Sequence, residues 1–279
     1  AADAARRAAL GCLALVLVAT LADLTVVGSV RHHRAQSVAY DRLRDELAEG
    51  VAPVGQTDVA GRLLSPGSPV AILEIPAIGL REVVLEGTTS AVLADGVGHR
   101  RDTVLPGQAG VSLLMGRRAA FGGPLRRLDE LGRGDGITVI TGQGVQSFEV
   151  TGVRSTGDPV PALADGASRL TIMTATGAPF LPSDALRIDA SLVSKTQPAP
   201  TPVLGPASLS DAEQPMRGMR DIGLPLYLWS QLLLVGLIGV VVLRRLWGRR
   251  QTWMVAVPLL GLASLGVGHQ LALLLPNLM

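Results

Sequence analysis

The chain has 279 residues, with 25 Lys and Arg against 23 Asp and Glu, and a formal net charge of +2 that is too small to mark a nucleic-acid binder. Hydrophobic residues make up 48% and charged residues 17%, but the apolar residues gather in three long runs, with most Gly and Pro between them. That distribution describes a membrane protein with a soluble middle, and the single cysteine, Cys12, excludes a disulfide framework.

The first run, "AALGCLALVLVATLADLTVVGSV" (8–30), follows Arg6 and Arg7 and suffices to cross a bilayer core of roughly 30 Å. It is too long for a signal-peptide core, so residues 1–30 read as a cytoplasmic start plus an uncleaved transmembrane anchor, with Cys12 a small packing or lipid-facing residue. Residues 31–50 carry Val38, Leu43 and Leu47 at helical spacing and predict a stalk helix, on which His32 and His33 form a solvated pair at the interface. A Gly/Pro-rich linker completes the segment 31–69.

From Val70 to Ser194 short apolar runs alternate with turn residues, as in "VAILEIP", "REVVLEG", "GVSLLMG", "RLTIMTA" and "LRIDASLV". Gly142-Gln143-Gly144 marks a hairpin between "ITVIT" and "VQSFEV". Such a segment folds as a closed or nearly closed β-barrel or a sandwich. Residues 195–223, rich in Pro, Ala and Ser, form a tether of low foldability.

Two further apolar runs, 224–243 and 253–275, flank the loop 244–252, whose arginines keep it cytoplasmic. Residues 253–279 thus hold the third span, and residues 31–222 lie outside together with the far end of that span. Gly236, Gly239 and the Ser264/Gly268 pair allow close helix packing. Asp23 is costly inside a bilayer and calls for a partner. At 1.5 Å per residue Asp23 and His269 lie about 10 and 9 Å from the outer ends of their spans, so they are matched in depth as an intramembrane pair; the other readings are that Asp23 snorkels or meets another subunit.

Four stretches carry a resemblance. "LEIPAIGLREVVLEGT" (73–88), "GVGHRRDTVLPGQAGVSLLMGRR" (96–118), "FGGPLRRLDELGRGDGITV" (121–139) and "RLTIMTATGAP" with "LRIDASLV" (169–193) resemble, in order, the motifs of the sortase family, in an actinobacterial-type form. The resemblance implies a mainly β fold: a sortase-like eight-stranded barrel outside the plasma membrane of a Gram-positive cell, with one N-terminal transmembrane helix and a C-terminal helical hairpin. It also implies a cysteine transpeptidase that cleaves a sorting signal, using His, Cys and Arg.

Here those three family positions fall on Arg117, Ala175 and Arg187. A methyl group cannot form an acyl-enzyme, and a guanidinium is a poor acid or base. His99 matches a histidine that is non-catalytic in the family, and no base neighbours Thr174 or Thr176 in sequence. The expectation is therefore a pseudoenzyme without cofactor or metal. Arg117, Arg118, Thr174, Thr176 and Arg187 would line a groove that serves binding or assembly in a membrane complex. The partners expected are other envelope or membrane proteins, offering an acidic or C-terminal segment to the groove, with Asp184 or Asp102 as internal anions for its arginines. Arg187 reads also as a solvated edge-strand charge. The alternative is a sortase-type transpeptidase whose nucleophile has been replaced at Ala175; that single exchange leaves Arg117 unexplained.

Overall fold

The computed structural model describes residues 2–279, and the side chains of residues 2–9 and Arg249 lie outside the description, so the expectations placed on Arg6 and Arg7 fall outside the described residues. The chain starts as one continuous helical rod: α1 (Ala2–Ala22), a π-helical turn (Asp23–Val27) and α2 (Gly28–Ala48). The π turn shifts backbone pairing by one residue, so that the Gly28 N–H reaches the Asp23 carbonyl. The Leu24 carbonyl instead accepts from Phe121 N–H at 2.9 Å, so a residue from a loop of the barrel domain caps the irregularity in the helical rod.

Gly28 permits that approach, because a Cβ there would stand 2.7 Å from Phe121 Cδ1. Phe121 meets it with φ of 53°, a left-handed conformation uncommon for a bulky residue.

Eight strands close a barrel in the order β1-β2-β3-β4-β7-β8-β6-β5: β1 (Pro69–Ile75), β2 (Leu80–Glu86), β3 (Val97–His99), β4 (Gly110–Met115), β5 (Gly136–Thr141), β6 (Gly144–Arg154), β7 (Ser168–Ala178) and β8 (Leu181–Leu192). A short helix α3 (Ser90–Asp95), capped by the Thr89 side chain, joins β2 to β3. Alternation along β7 and β8 sends Leu170, Ile172, Leu186, Ile188 and Ala190 into the interior beside Leu73, Leu114, Val139 and Phe148. The opposite parity sends Met173, Ala175 and Ala185 to the outer face, where Leu93, Leu113 and Met115 join them. The sheet is closed, so it has no free edge to protect.

Two segments differ from the sequence expectation. Residues 31–48 lie along the barrel as α2 and do not stand off as a stalk: Leu43 is fully buried with Ile72, Val83, Leu85 and Val92. His32 is accordingly buried, with Nε2 3.0 Å from Glu82 Oε1, while His33 stays exposed. The free tether expected at 195–223 is fastened down. Gln56 takes the Leu204 carbonyl, Gln197 N–H bonds the Gly107 carbonyl, and Thr88 Oγ1 donates to the Glu213 carbonyl at 2.7 Å. A Pro-rich composition lowers helix and strand content but leaves carbonyls available to a neighbouring surface.

Two more long helices, α4 (Gly223–Leu246) and α5 (Arg249–Leu274), make a hairpin, and among the described residues three helical stretches are long and apolar enough to cross a membrane. Gly236 faces Leu260 across the hairpin, and Gly268 lets α5 approach the α1 backbone at Ala19 and Thr20. Gly239 faces open space. After α5 the chain passes Pro276, which ends the helix, and turns onto the outer face of the barrel.

Candidate functional site

The β4-β7-β8 face is built around Ala175. Met115 pairs with Met173 in the parallel ladder of β4 and β7, so continuing the register brings Arg117 level with Ala175; on the other side Ala175 pairs directly with Ala185 of β8. Arg187 pairs with Met173, two residues further along the ladder. Ala175 is 1% exposed, and its side chain is a methyl at the centre of an apolar patch.

Arg117 is fully buried. Its Nη2 donates to the Ser90 carbonyl at 2.9 Å and its guanidinium carbon lies 4.7 Å from the centre of the Phe121 ring, while Nε and Nη1 have no partner. Burial lowers the guanidinium to about 9, still above neutral pH, so the group remains a cation and holds its protons. Arg187 is half-buried on the other flank, with Nη1 3.5 Å from Thr156 Oγ1.

Neither arginine has a carboxylate within ion-pair distance among the described residues. Of the two internal anions expected, Asp102 pairs with Arg100 instead. Asp184 accepts from the backbone of Thr156 and Ala185; the Thr156 contacts and the Ala185 N–H hold its pKa low, with a smaller contribution from Arg187.

Arg118 has a different task. Its Nη1 donates to the Ala175 carbonyl at 3.1 Å and its Nη2 to Asp129 at 3.0 Å, so the side chain spans the groove wall. Thr174 is buried and donates to the Gly116 carbonyl at 2.9 Å, which ties β7 to the end of β4. Thr176 lines a narrow cleft with Ala175, Ala178, Phe180 and Met279.

The groove's remaining wall comes from residues that the sequence did not single out. Leu278 is fully buried in the same apolar cluster as Ala175, with Met216 packed against it. Arg118 N–H donates to the Leu278 carbonyl at 3.0 Å and Ala120 N–H to that of Met279 at 3.3 Å. Asn277, also fully buried, donates through Nδ2 to the Thr88 carbonyl at 2.9 Å and the Gln214 carbonyl at 3.0 Å. One signal was present in the sequence: an uncharged amide directly after a proline at the end of an apolar run.

His99 sits elsewhere, on β3. Its Nδ1 lies 2.9 Å from Glu86 Oε2 and its Nε2 lies 3.0 Å from the Val104 carbonyl, beside a cavity of about 40 Å³. Burial opposes protonation of the ring, but the Glu86 carboxylate and the Val104 carbonyl outweigh it and raise the pKa above the ordinary histidine value. This is a structural ion pair within the wall and is not a base facing Ala175.

In the helical layer Asp23 is 1% exposed and its Oδ2 is 2.9 Å from His269 Nδ1. Arg31 Nη1 is 2.7 Å from the same nitrogen, and Arg31 Nη2 is 3.6 Å from Asp23 Oδ1. Phe121 stands edge-on to His269, ring centres 6.4 Å apart, so one aromatic side chain touches both this cluster and Arg117.

A closed eight-stranded barrel of this strand order, with an outer groove over β4, β7 and β8, has counterparts among known proteins. The Sortase domain family model matches residues 73–187. Sortase D of Bacillus subtilis (strain 168) is 34% identical over 84 residues, covering 30% of this chain and 41% of that protein, so the chain spans less than half the length of this curated relative. Sortase E from Streptomyces avermitilis is 30% identical in its solved structure, with 54% of this chain and 100% of that chain covered and a TM-score of 0.41. The Sortase D5 transpeptidase of Clostridium perfringens is 21% identical, with 58% and 99% covered and a TM-score of 0.49. Residues 73–187 of this chain thus form a sortase domain.

Proposed function

We propose that the barrel is a catalytically silent sortase domain, held on the outer side of the plasma membrane and serving as a binding or assembly subunit of a membrane complex. The observation that carries this reading is the pair of side chains at the reactive centre. Ala175 offers no lone pair for attack on a carbonyl, and Arg117 beside it is a buried cation at neutral pH that cannot take a proton. The neighbouring Thr174 is engaged with the Gly116 carbonyl, and His99 lies away from Ala175, paired with Glu86. The outer placement follows from the arginines of loop 244–252, which favour the cytoplasmic side.

The experiment restores one residue. Full-length Ala175→Cys protein, in a Cys12→Ser background, is incubated with sorting-signal peptides and followed by mass spectrometry for cleavage, transfer or a thioester. Silence of both the original and the Ala175→Cys protein is expected, because Arg117 still provides no acid or base. Turnover by Ala175→Cys would show that only the nucleophile is missing and would establish the transpeptidase reading in its place.

A further inference from the structure

We infer that the groove over Ala175 is a peptide receptor whose ligand is this chain's own segment 275–279, so that the barrel clamps the end of α5. The inference rests on the silent reading and adds the ligand. Three independent features of the segment carry it.

The first is the manner of recognition. Leu275, preceding a proline, leaves the helix with ψ of 157°, and the chain continues outside helical pairing. Backbone and side-chain groups on both sides then bind it: Arg118 and Ala120 N–H groups bond the carbonyls of Leu278 and Met279, Asn277 N–H bonds the Arg217 carbonyl at 2.9 Å, and the Asn277 amide bridges Thr88 and Gln214. Asn277 and Leu278 are both 0% exposed. A segment that merely lay on the surface would leave such groups to water.

The second is the shape of the seat. Leu278 fills the patch made by Leu93, Met115, Met173, Ala175 and Ala185, and methionines adapt well to an inserted aliphatic side chain. Arg118 holds the Ala175 carbonyl with its side chain and the Leu278 carbonyl with its N–H, so one residue registers the ligand against the strand.

The third is the chemistry of position 175. A thiolate in that place would lie in the same cluster as Leu278, against peptide bonds of its own chain, and would put them at risk of acyl transfer. Alanine removes that hazard and adds apolar surface, so the loss of the nucleophile and the presence of a permanent occupant explain one another. The attachment through α5 gives the segment an effective concentration on the order of millimolar, which an external peptide must exceed to enter.

The test uses the full-length protein in lipid, in a Cys12→Ser background. Ala175→Cys is labelled with a membrane-impermeant maleimide, and a parallel protein bearing Ala175→Cys and Leu278→Cys is treated with a short bis-methanethiosulfonate. Labelling at least ~10-fold slower than in the same protein with Leu278→Ser, together with bridging inside one chain, is the expected result. Equal labelling rates with and without Leu278→Ser, or bridging only between chains, would overturn the clamp. If Leu278→Ser fails to fold, the bridging experiment decides alone. Peptide turnover by Ala175→Cys is a separate readout that bears on the silent reading.

Discussion

His269 on α5 lies 2.9 Å from Asp23 on the first helical rod, across 246 positions of sequence, and the two meet where the rod makes its π turn. The carboxylate is almost wholly buried and Arg31 Nη2 stands 3.6 Å from its other oxygen, so a costly group in an apolar layer has one hydrogen-bond partner, His269, and one nearby cation. Removing one partner of such a cluster strands the other. His269→Ala is expected to destabilise the helical bundle by about 1–3 kcal/mol, and Asp23→Asn combined with His269→Ala by less than the sum of the single losses. Unfolding in mixed micelles, run as a double-mutant cycle, checks this; strict additivity would show that the contact carries no coupling.

Gly28 is the point where the rod and the barrel touch most closely. A Cβ there would meet Phe121 at 2.7 Å and the Asp23 carbonyl at 2.2 Å, and the latter is backbone that cannot yield cheaply. Gly28→Val is expected to break the hydrogen bond between Phe121 and Leu24 and to loosen the barrel from the helix. Limited proteolysis in loop 117–123 reads this: the variant should be cut several-fold faster, and an unchanged rate would mean that docking does not depend on Gly28.

Arg117 is a buried cation without a carboxylate partner among the described residues, met by one carbonyl and an aromatic face while Nε and Nη1 stay unpartnered. Replacing an unpaired buried charge by an apolar side chain of similar reach removes a desolvation penalty. Arg117→Met is therefore expected to raise the melting temperature, by an amount corresponding to about 1–4 kcal/mol. A fall in melting temperature would reveal that an anion or a further hydrogen bond holds Arg117 in the native protein.

The His99 and Glu86 pair makes barrel stability depend on pH with a definite sign. Because the folded-state pKa of His99 is raised, the contribution is fully present below the unfolded histidine value near 6.5 and is lost as pH rises through the folded value. Thermal unfolding followed between pH 5 and 9 should show this decline, and His99→Gln should flatten it. A profile of equal slope in the variant would assign the dependence to other groups.

Much of this fold was legible in local pattern. Apolar alternation in "VAILEIP" and "RLTIMTA" identified β1 and β7, Gly142-Gln143-Gly144 marked the turn between β5 and β6, and the long apolar runs located the helices that can cross a membrane. These are short-range signals, written in the period of a strand or the length of a helix. β3 escaped because Val97–His99 is three residues long, and it pairs in parallel with β2 through contacts that no local pattern records. His32 escaped because whether a polar residue on a helix faces water or a neighbour depends on what packs there, and only the barrel provides Glu82.

The same division runs through the candidate site. The sequence alone determined which atoms stand at the reactive positions, a methyl at Ala175 and a guanidinium at Arg117, since side-chain chemistry is a property of residue type. It also allowed Asp23 and His269 to be matched by depth, because helical rise converts residue number into distance. Only the tertiary structure decided that Arg117 points away toward Ser90 and Phe121, that Arg118 grips Ala175, and that Leu278 fills the groove. The groove and its occupant lie about a hundred residues apart in sequence, and Leu278 reaches β7 from the far end of α5, which packs against α1. Such an encounter arises from the closing of the whole chain upon itself, which no local periodicity encodes.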